Sequence, residues 1–175
     1  LAQEVGPWPT DRQSTLKDIP QWPLVEKVVL ESMRLYPPVS LLAREVVAPL
    51  EVGAAKLQRG DLIFIPIYAI QRDQRWHPLP EQFDAKRFDR RSMAAMKPYT
   101  FMPFGAGPRS CVGKQWGFQQ CLLALAWLTA NVKLSPIPGT PAPELEMDIV
   151  LHPRNPLNLQ LTPREWQSTE QRIAT

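Results

Sequence analysis

The sequence predicts a mainly α-helical fold with small β-sheets. Two segments, 24–36 and 112–131, repeat their apolar residues at helical spacing. Short apolar runs separated by glycines between 44 and 70, and strict alternation over 157–161, predict short strands. Proline supplies 20 of the 175 residues, roughly twice its usual frequency. Many of the connections are therefore expected to be stiff turns.

The composition excludes several classes of protein. With 44% hydrophobic and 21% charged residues, the chain matches an average soluble domain rather than a disordered or fibrous one. A net charge of +3 is too small to predict nucleic-acid binding. The two cysteines, Cys111 and Cys121, exclude a disulfide-rich secreted scaffold and favour a reducing compartment, the cytoplasm if the source is bacterial.

No apolar run approaches the roughly 18 residues that a membrane span needs. The chain begins at Leu1 without a methionine or a signal-like leader. We therefore expect a fragment with no membrane segment in this portion.

The first predicted helix, 24–36, has a clear start and end. Pro20 and Pro23 suit its first turn. The pair Pro37-Pro38 ends it, because a proline disfavours helical geometry in the residue before it and cannot donate a backbone hydrogen bond. Strands are predicted next at Val46-Val47, at Glu51-Val52 and over 62–67, the last one stopping or lying at an edge at Pro66.

The segment 71–110 is predicted to be a long functional loop, since its many aromatic residues argue against disorder. The second helix, 112–131, is apolar on most sides, which is typical of a buried helix. Because 175 residues with this much loop hardly suffice to bury it, the helix again suggests missing chain. Cys121 within it is interpreted as a small buried hydrophobic residue. After it we predict a hairpin that joins 149–151 to 157–161, and a frayed polar tail over 164–175.

Cys111 lies between a glycine-rich segment, 104–110, and the start of the second helix. Unpaired N–H groups and the helix dipole favour negative charge there, so the thiolate could serve as a nucleophile or a metal ligand. Gly105 and Gly107 permit the necessary backbone turns, Gly113 leaves space beside the sulfur, and Arg109 adds a cation suited to carboxylates. Packing of a buried cysteine is the plain alternative.

Other chemistries fit this segment poorly. Zinc would need ligand spacings that Cys121, His77 and His152 do not provide. A dinucleotide fingerprint fails because Ser110 replaces the third glycine. A cysteine hydrolase would need a recognisable histidine signature, which is absent from the sequence.

Two further segments carry charges that gain meaning beside the cysteine. Glu31 and Arg34 are three residues apart and share one face of the first helix. Arg87, flanked by aromatic residues, could close an Arg-Glu-Arg network if it is buried next to that helix.

Together, these three segments resemble the C-terminal part of the cytochrome P450 family, the haem-thiolate monooxygenases. Phe104-x-x-Gly107-x-Arg109-x-Cys111-x-Gly113 matches the family's haem-binding loop, and Glu31-x-x-Arg34 matches its helix motif. The resemblance covers 16–161 within a single domain. The family's preceding oxygen-activating helix has no counterpart in this chain, so the N-terminal portion of the domain is expected to be missing.

The resemblance implies haem b as cofactor, with Cys111 as the axial thiolate that donates electron density to iron and favours O–O cleavage. No other catalytic residue is expected in this segment. Arg109 and Arg44 would pair with the haem propionates, Phe104 would shield the sulfur, and Gly105 and Gly113 would shape the loop. Glu31, Arg34 and Arg87 would form a buried structural triad. Low-ranking substrate contacts would come from Val39, Ser40, Leu41, Leu42, Asn155 and Pro156.

The chain departs from the family pattern in two places. Gln71-Arg72-Asp73-Gln74 replaces the usual His-Arg-Asp-Pro run, and Ala85-Lys86 replaces Pro-Glu. Both departures concern the turns of the long loop rather than the cysteine motif.

The implied function is insertion of one oxygen atom of O₂ into an apolar organic substrate, with electrons from a reductase, ferredoxin or flavodoxin. The alternative is a haem-binding or structural fragment without turnover, and we expect the 175 residues alone to be inactive. The basic residues Lys86, Arg90, Arg91, Lys97 and Lys114 fit an acidic electron-transfer partner or a solvated surface equally well.

Overall fold

The structure is a computed structural model that describes residues 1–8, 16–147 and 150–166. In these ranges the α-helices are α1 (Ala2–Val5), α2 (Pro23–Leu35), α3 (Ile67–Ile70), α4 (Arg90–Ala95) and α5 (Lys114–Asn131). The strands are β1 (Leu42–Glu45), β2 (Leu50–Val52), β3 (Ala55–Leu57), β4 (Leu62–Ile65), β5 (Val132–Pro136), β6 (Leu145–Met147), β7 (Leu151–Pro153) and β8 (Leu159–Pro163). Single 3₁₀ turns occur at Ile19–Gln21, Ala85–Phe88 and Gly107–Arg109. The prediction of helices with small sheets is confirmed.

The chain divides into two compact units. The first contains Leu1–Leu30, Val112–Glu144 and Pro153–Thr175, and the second contains Glu31–Cys111 and Leu145–His152. Every residue of the predicted cysteine loop up to Cys111, and the whole predicted charge triad, belongs to the second unit.

In the first unit, α5 is the longest element. It buries Leu122, Ala126 and Ala130, which recur every four residues and form one narrow stripe. Much of its remaining apolar surface is open, with Trp116 71% exposed. The expectation that these 175 residues hardly suffice to bury the helix is confirmed, because among the described residues only that stripe is fully covered. Cys121 lies beside this stripe and is exposed, so its interpretation as a buried residue is wrong.

The end of the chain pairs differently from the prediction. Strand β8 pairs antiparallel with β5, with Leu161 opposite Leu134, while β7 pairs with β6. The predicted hairpin between 149–151 and 157–161 is wrong, and Ile149 lies outside the described residues. Each of the two segments pairs with an earlier strand instead of with the other.

The tail does not fray at Arg164. The Arg164 side chain donates from Nε to the carbonyl oxygen of Thr129 at 2.9 Å, and Trp166 Nε1 donates to that of Ala130 at 2.9 Å. These bonds fasten 164–166 to the end of α5, contrary to the prediction. The rest of the predicted tail, 167–175, lies outside the described residues.

The second unit is built on two small antiparallel sheets. Strands β1 and β4 pair with Leu42 opposite Ile65, and β2 pairs with β3. Strand β4 stops before Pro66, as predicted, and α3 follows directly. The strand predicted at Val46-Val47 is instead 42–45. Val46 lies just past it, buried, and its N–H group bonds to Asp61 at 2.9 Å.

The end of α2 and the long loop form the core of this unit. Leu35, Ile67 and Phe88 are almost fully buried, and the Phe88 ring packs on Phe101 with 4.8 Å between centroids. The loop is therefore packed around Phe88 and Phe101, but the prediction from its aromatic content is confirmed only in part, because Trp76, Phe83 and Tyr99 are exposed. Across the described ranges, no helix combines the length and apolar character that crossing a membrane would require.

Candidate functional site

The predicted cysteine loop is a closed turn. Gly105 and Gly107 have φ values of 71° and 72°, in the left-handed region that favours glycine. The N–H group of Cys111 donates to the carbonyl oxygen of Phe104 at 2.9 Å, and that of Ser110 donates to Gly107 at 3.0 Å. The two glycines recognised in the sequence are thus required by the backbone path that brings Cys111 back to Phe104.

The Cys111 side of this loop borders a cavity of about 340 Å³. Its lining is mostly apolar and consists of Pro38, Val39, Leu42, Ile67, Met102, Pro103, Phe104, Gly105, Arg109 and Cys111. Cys111 is exposed. The sulfur-bearing residue therefore faces open space instead of packing in the protein interior, which argues against the alternative of a buried packing cysteine.

One arginine lines this cavity, and a second lies on strand β1, which also contributes Leu42 to the lining. Arg109 is exposed and lines it. Arg44 is two residues from Leu42 on β1, so the two side chains share one face of the strand. Arg44 Nη1 donates to the carbonyl oxygen of Ala43 at 2.7 Å. Within the described part of the chain, neither arginine pairs with a carboxylate, so both guanidinium groups are available to an external anion.

The predicted substrate residues are only partly brought together. Val39 and Leu42 line the cavity beside Cys111. Ser40 is buried and its carbonyl oxygen accepts from Tyr68 at 3.0 Å, whereas Leu41 is 47% exposed and does not line the cavity. Asn155 and Pro156 line a different cavity of about 430 Å³. Gly113 is the N-cap of α5 with φ −86°, so a positive φ is not the reason for glycine there.

The three predicted triad residues meet in the second unit. Glu31 and Arg34 are fully buried, and the guanidinium grips the carboxylate with both arms, Nε to Oε2 at 2.7 Å and Nη2 to Oε1 at 2.8 Å. Arg87 Nε lies 3.4 Å from Glu31 Oε1, and its side chain is 12% exposed. The N–H group of Asp84 also donates to Oε1, at 2.9 Å. Glu31 therefore connects α2 to both ends of the segment 84–87.

Sequence reasoning missed Gln71, which it treated as a departure from the family pattern. This side chain is fully buried. Its Nε2 donates to the carbonyl oxygens of Met33 at 3.0 Å and Arg34 at 3.1 Å, and its Oε1 accepts from the N–H group of Met102 at 2.8 Å. Its own carbonyl oxygen accepts from Arg34 Nη1 at 2.9 Å. Gln71 stands between Ile70 and Arg72 in the sequence, and no local pattern there signalled its burial.

The same departure keeps a well-supported turn. The Arg72 guanidinium lies 3.8 Å from the centroid of the Tyr68 ring and its Nε lies 3.2 Å from a Glu81 carboxylate oxygen. Asp84 caps the following 3₁₀ turn by accepting from the N–H group of Lys86 at 3.0 Å. The turns next to the departing residues are thus held by Arg72 and Asp84.

His77 is a second buried polar residue in this region. It is 2% exposed, and its Nε2 lies 2.9 Å from the carbonyl oxygen of Thr100, so that nitrogen must be the donor. Burial lowers the pKa of His77 below its usual 6.5, and the nearby charges of Arg34 and Arg87 act in the same direction, against the Thr100 hydrogen bond and Glu31. His77 is thus neutral in the folded chain near neutral pH.

The chemistry of the cavity fits haem. Among the described residues, no group of three or more His, Cys, Asp or Glu is placed to hold a metal ion. Cys111 could supply a thiolate to a metal held in a flat apolar ring, and the mostly apolar lining with Arg109 suits such a ring if it carries carboxylates.

An exposed cysteine on a glycine loop beside an apolar cavity is the arrangement that a protein holding haem through a cysteine requires. The family model described as cytochrome P450 matches residues 2–161, which extends the predicted resemblance toward the start of the chain. The chain belongs to the cytochrome P450 family, whose members are haem- and iron-binding monooxygenases that use haem b.

Individual relatives agree with this assignment. The chain is 37% identical over 137 residues to cytochrome P450 9e2 of Blattella germanica, covering 76% of this chain and 26% of that protein. It is 30% identical over 167 residues to cytochrome P450 3A12 of Canis lupus familiaris, covering 94% and 33%. The crystal structure of a cytochrome P450, CYP102L1, shares the fold with a TM-score of 0.83 at 24% identity, covering 94% of this chain and 37% of the other. This chain thus spans about a quarter to a third of the relatives it matches.

Proposed function

We propose that this chain forms the haem-ligand part of a monooxygenase that inserts one oxygen atom of O₂ into an apolar organic substrate. One observation carries the proposal: an exposed cysteine closes a glycine loop at the edge of a mostly apolar cavity that Arg109 also lines. When bound, the haem would supply the redox and oxygen chemistry.

In this proposal Cys111 holds the iron as a thiolate. Arg109 and Arg44 bind the propionate carboxylates, since neither has a carboxylate partner within the described residues. Phe104 lines the same cavity and limits the access of water to the sulfur. Val39 and Leu42 present apolar surface to the substrate.

The second proposed role belongs to the charge triad. Glu31, Arg34 and Arg87 hold the segment 79–88 against the end of α2, because Arg87 Nη2 also donates to the carbonyl oxygen of Leu79 at 2.7 Å. This role is structural. None of the hydrogen bonds and ion pairs of the triad given above reaches a residue that lines the cavity beside Cys111.

The decisive experiment is the visible spectrum of the reduced, carbon-monoxide-bound intact protein. We expect a red-shifted band typical of thiolate ligation in the wild type and in Cys121→Ser, the matched control with the other exposed cysteine. Cys111→Ser should lose this band. Retention of the band in Cys111→Ser would show that the ligand has been assigned wrongly.

Activity is tested separately, as NAD(P)H-dependent oxidation of an apolar probe in the presence of a reductase. The intact protein should form an oxygenated product, and residues 1–175 alone should not. Product from Cys111→Ser would contradict the proposal.

The electron donor is proposed to be an acidic protein that docks on the basic side chains. Lys86, Arg90, Arg91 and Lys97 are all exposed in the second unit. Attraction between opposite charges speeds association and weakens with salt. The reduction rate should fall at high salt and in Arg90→Glu/Arg91→Glu. Arg59→Glu, another exposed arginine outside this group, should leave the rate unchanged.

A further inference from the structure

We propose that Gln71 is a positioning residue for the haem-ligand loop. Its side-chain amide fastens the segment that leads into the loop to the last turn of α2, and thereby sets where Cys111 can hold the iron. This inference rests on the proposed function of Cys111.

The amide of Gln71 is fully used. Both hydrogens of Nε2 are donated, one to Met33 and one to Arg34, and Oε1 accepts from the N–H group of Met102. The opposite orientation of the amide would turn its oxygen toward two carbonyl oxygens, so the network defines which atom is nitrogen.

The two carbonyl groups at one end have no helical partner. Met33 and Arg34 lie in the last turn of α2, where carbonyl oxygens lack an N–H group four residues further on. Gln71 is fully buried, so water cannot replace its bonds there without opening the core. One side chain thus satisfies two orphan acceptors and one donor on another segment.

The segment at the other end enters the cysteine loop. The carbonyl oxygen of Met102 accepts from the N–H group of Gly105 at 2.9 Å, and Met102 itself lines the cavity with Cys111. Two residues earlier, His77 holds the carbonyl oxygen of Thr100. Between these anchors and Lys97 lies Tyr99, whose φ of 64° is unusual for a bulky residue.

This arrangement gives Gln71 a role distinct from that of the charge triad. A backbone conformation such as that of Tyr99 persists where the surrounding contacts hold it. The bonds from His77 to Thr100 and from Gln71 to Met102 hold the backbone that follows Tyr99, and Met102 lies nine residues before Cys111. Few side chains fit: glutamate lacks the two donors, methionine lacks all three bonds, and asparagine is one methylene shorter.

The test uses three variants of the haem-loaded intact protein. Gln71→Met keeps the length of the side chain and removes its hydrogen bonds. Gln71→Asn keeps the chemistry and shortens the reach, which provides a second variant if the first fails to fold. Gln74→Met is the matched control, because Gln74 is exposed.

Two readouts separate positioning from general stability. Hydrogen exchange should accelerate roughly tenfold at the Met102 amide in Gln71→Met, the change expected for loss of one hydrogen bond. Amides of the β5–β8 sheet should be unaffected. The thiolate-type band of the reduced carbon-monoxide complex should lose intensity in both Gln71 variants and keep it in Gln74→Met.

Four outcomes would overturn the inference. Faster hydrogen exchange at the Met102 amide together with an undiminished thiolate band would show that Gln71 holds this segment but does not affect how Cys111 binds the iron. Equal acceleration at all amides would show a purely structural residue. A wild type without the band would refute the proposed function, and the inference with it, whereas an intact wild-type band with unchanged Gln71 variants refutes the inference alone.

Discussion

The charge triad and the cysteine loop lie in the same unit, yet the side chains of the two regions differ in their exposure to solvent. Glu31 and Arg34 are fully buried, and every polar atom of the Glu31 carboxylate has a protein partner. Cys111 and Arg109 are exposed beside a cavity, and no described carboxylate pairs with Arg109. The protein buries the charges for which it supplies partners. It leaves exposed Cys111 and Arg109, the groups that the proposal assigns to haem.

The contrast predicts different consequences for mutation. Burial of an ion pair costs about as much desolvation free energy as the attraction returns, but removal of one member leaves a buried charge without compensation. The triad is therefore expected to control folding, and the loop to control haem binding. The predictions below separate these two effects.

The largest effect is expected for Cys111→Ala, which should abolish haem binding altogether. Because Cys111 is exposed, the free energy of unfolding of the haem-free protein should change by no more than about 0.5 kcal/mol. Haem titration and urea unfolding of the same sample measure both quantities. Cys121→Ala should change neither, and a haem-free Cys111→Ala that unfolds readily would contradict the separation.

The converse is expected for Glu31→Gln, which keeps the size of the side chain and removes its charge. Arg34 would then remain buried without a counter-ion, which costs about 3–5 kcal/mol of unfolding free energy. Urea unfolding of the haem-free protein measures this loss, and little haem-loaded protein should be recovered.

Glu51→Gln is the matched control for that change. Glu51 pairs with Lys56 at 3.7 Å with both side chains about three-quarters exposed, being 70% and 78%. Loss of such a surface pair should cost at most about 1 kcal/mol. A Glu31→Gln protein that is stable, holds haem and merely turns over slowly would refute the structural role of the triad.

The same contrast shows what the sequence could predict. The cysteine loop was recognisable because one local turn fixes the spacing of Gly105, Gly107 and Cys111. Helix α2 was recognisable because its apolar residues and its prolines act within a few residues of one another. Constraints of this kind act between neighbouring residues, so they can be recognised in the sequence alone.

Long-range partners were not recognisable in this way. Nothing near Gln71 in the sequence indicates Met33 or Met102, which lie 38 and 31 residues away. The pairing of β8 with β5 also depends on a distant strand, so a nearer run at 149–151 was preferred wrongly. The open surface of α5 shows the same limit, since hydrophobicity predicts a need for burial but does not name the surface that covers it.

An intermediate effect should distinguish the two arginines of the triad. Arg34→Lys loses the two-armed grip on Glu31 and the bond to Gln71, which should cost about 1.5–3 kcal/mol of unfolding free energy. Arg87→Lys should cost no more than about 1 kcal/mol, because Arg87 is partly exposed and contacts Glu31 at 3.4 Å. Urea unfolding of both variants checks this order, and the reverse order would place the centre of the network at Arg87.

The smallest effect is expected for His77→Gln and shows itself only in the dependence of stability on pH. The pKa of His77 is lowered from 6.5 by burial. As pH falls below 6.5, the unfolded chain takes up a proton that the folded chain refuses, so the free energy of unfolding decreases. Glutamine can still donate to Thr100 but does not titrate, so this loss should disappear in the variant.

The comparison is made on the difference in unfolding free energy between wild type and His77→Gln, measured in urea from pH 8 to pH 5. Well above pH 6.5 the difference should be constant, since both side chains are then neutral in both states. Below pH 6.5 the wild type should lose unfolding free energy relative to His77→Gln, until the folded chain is protonated as well. A difference that stays flat throughout, or that moves in favour of the wild type on acidification, would show that His77 accepts its proton in the folded chain and that its burial does not hold it neutral.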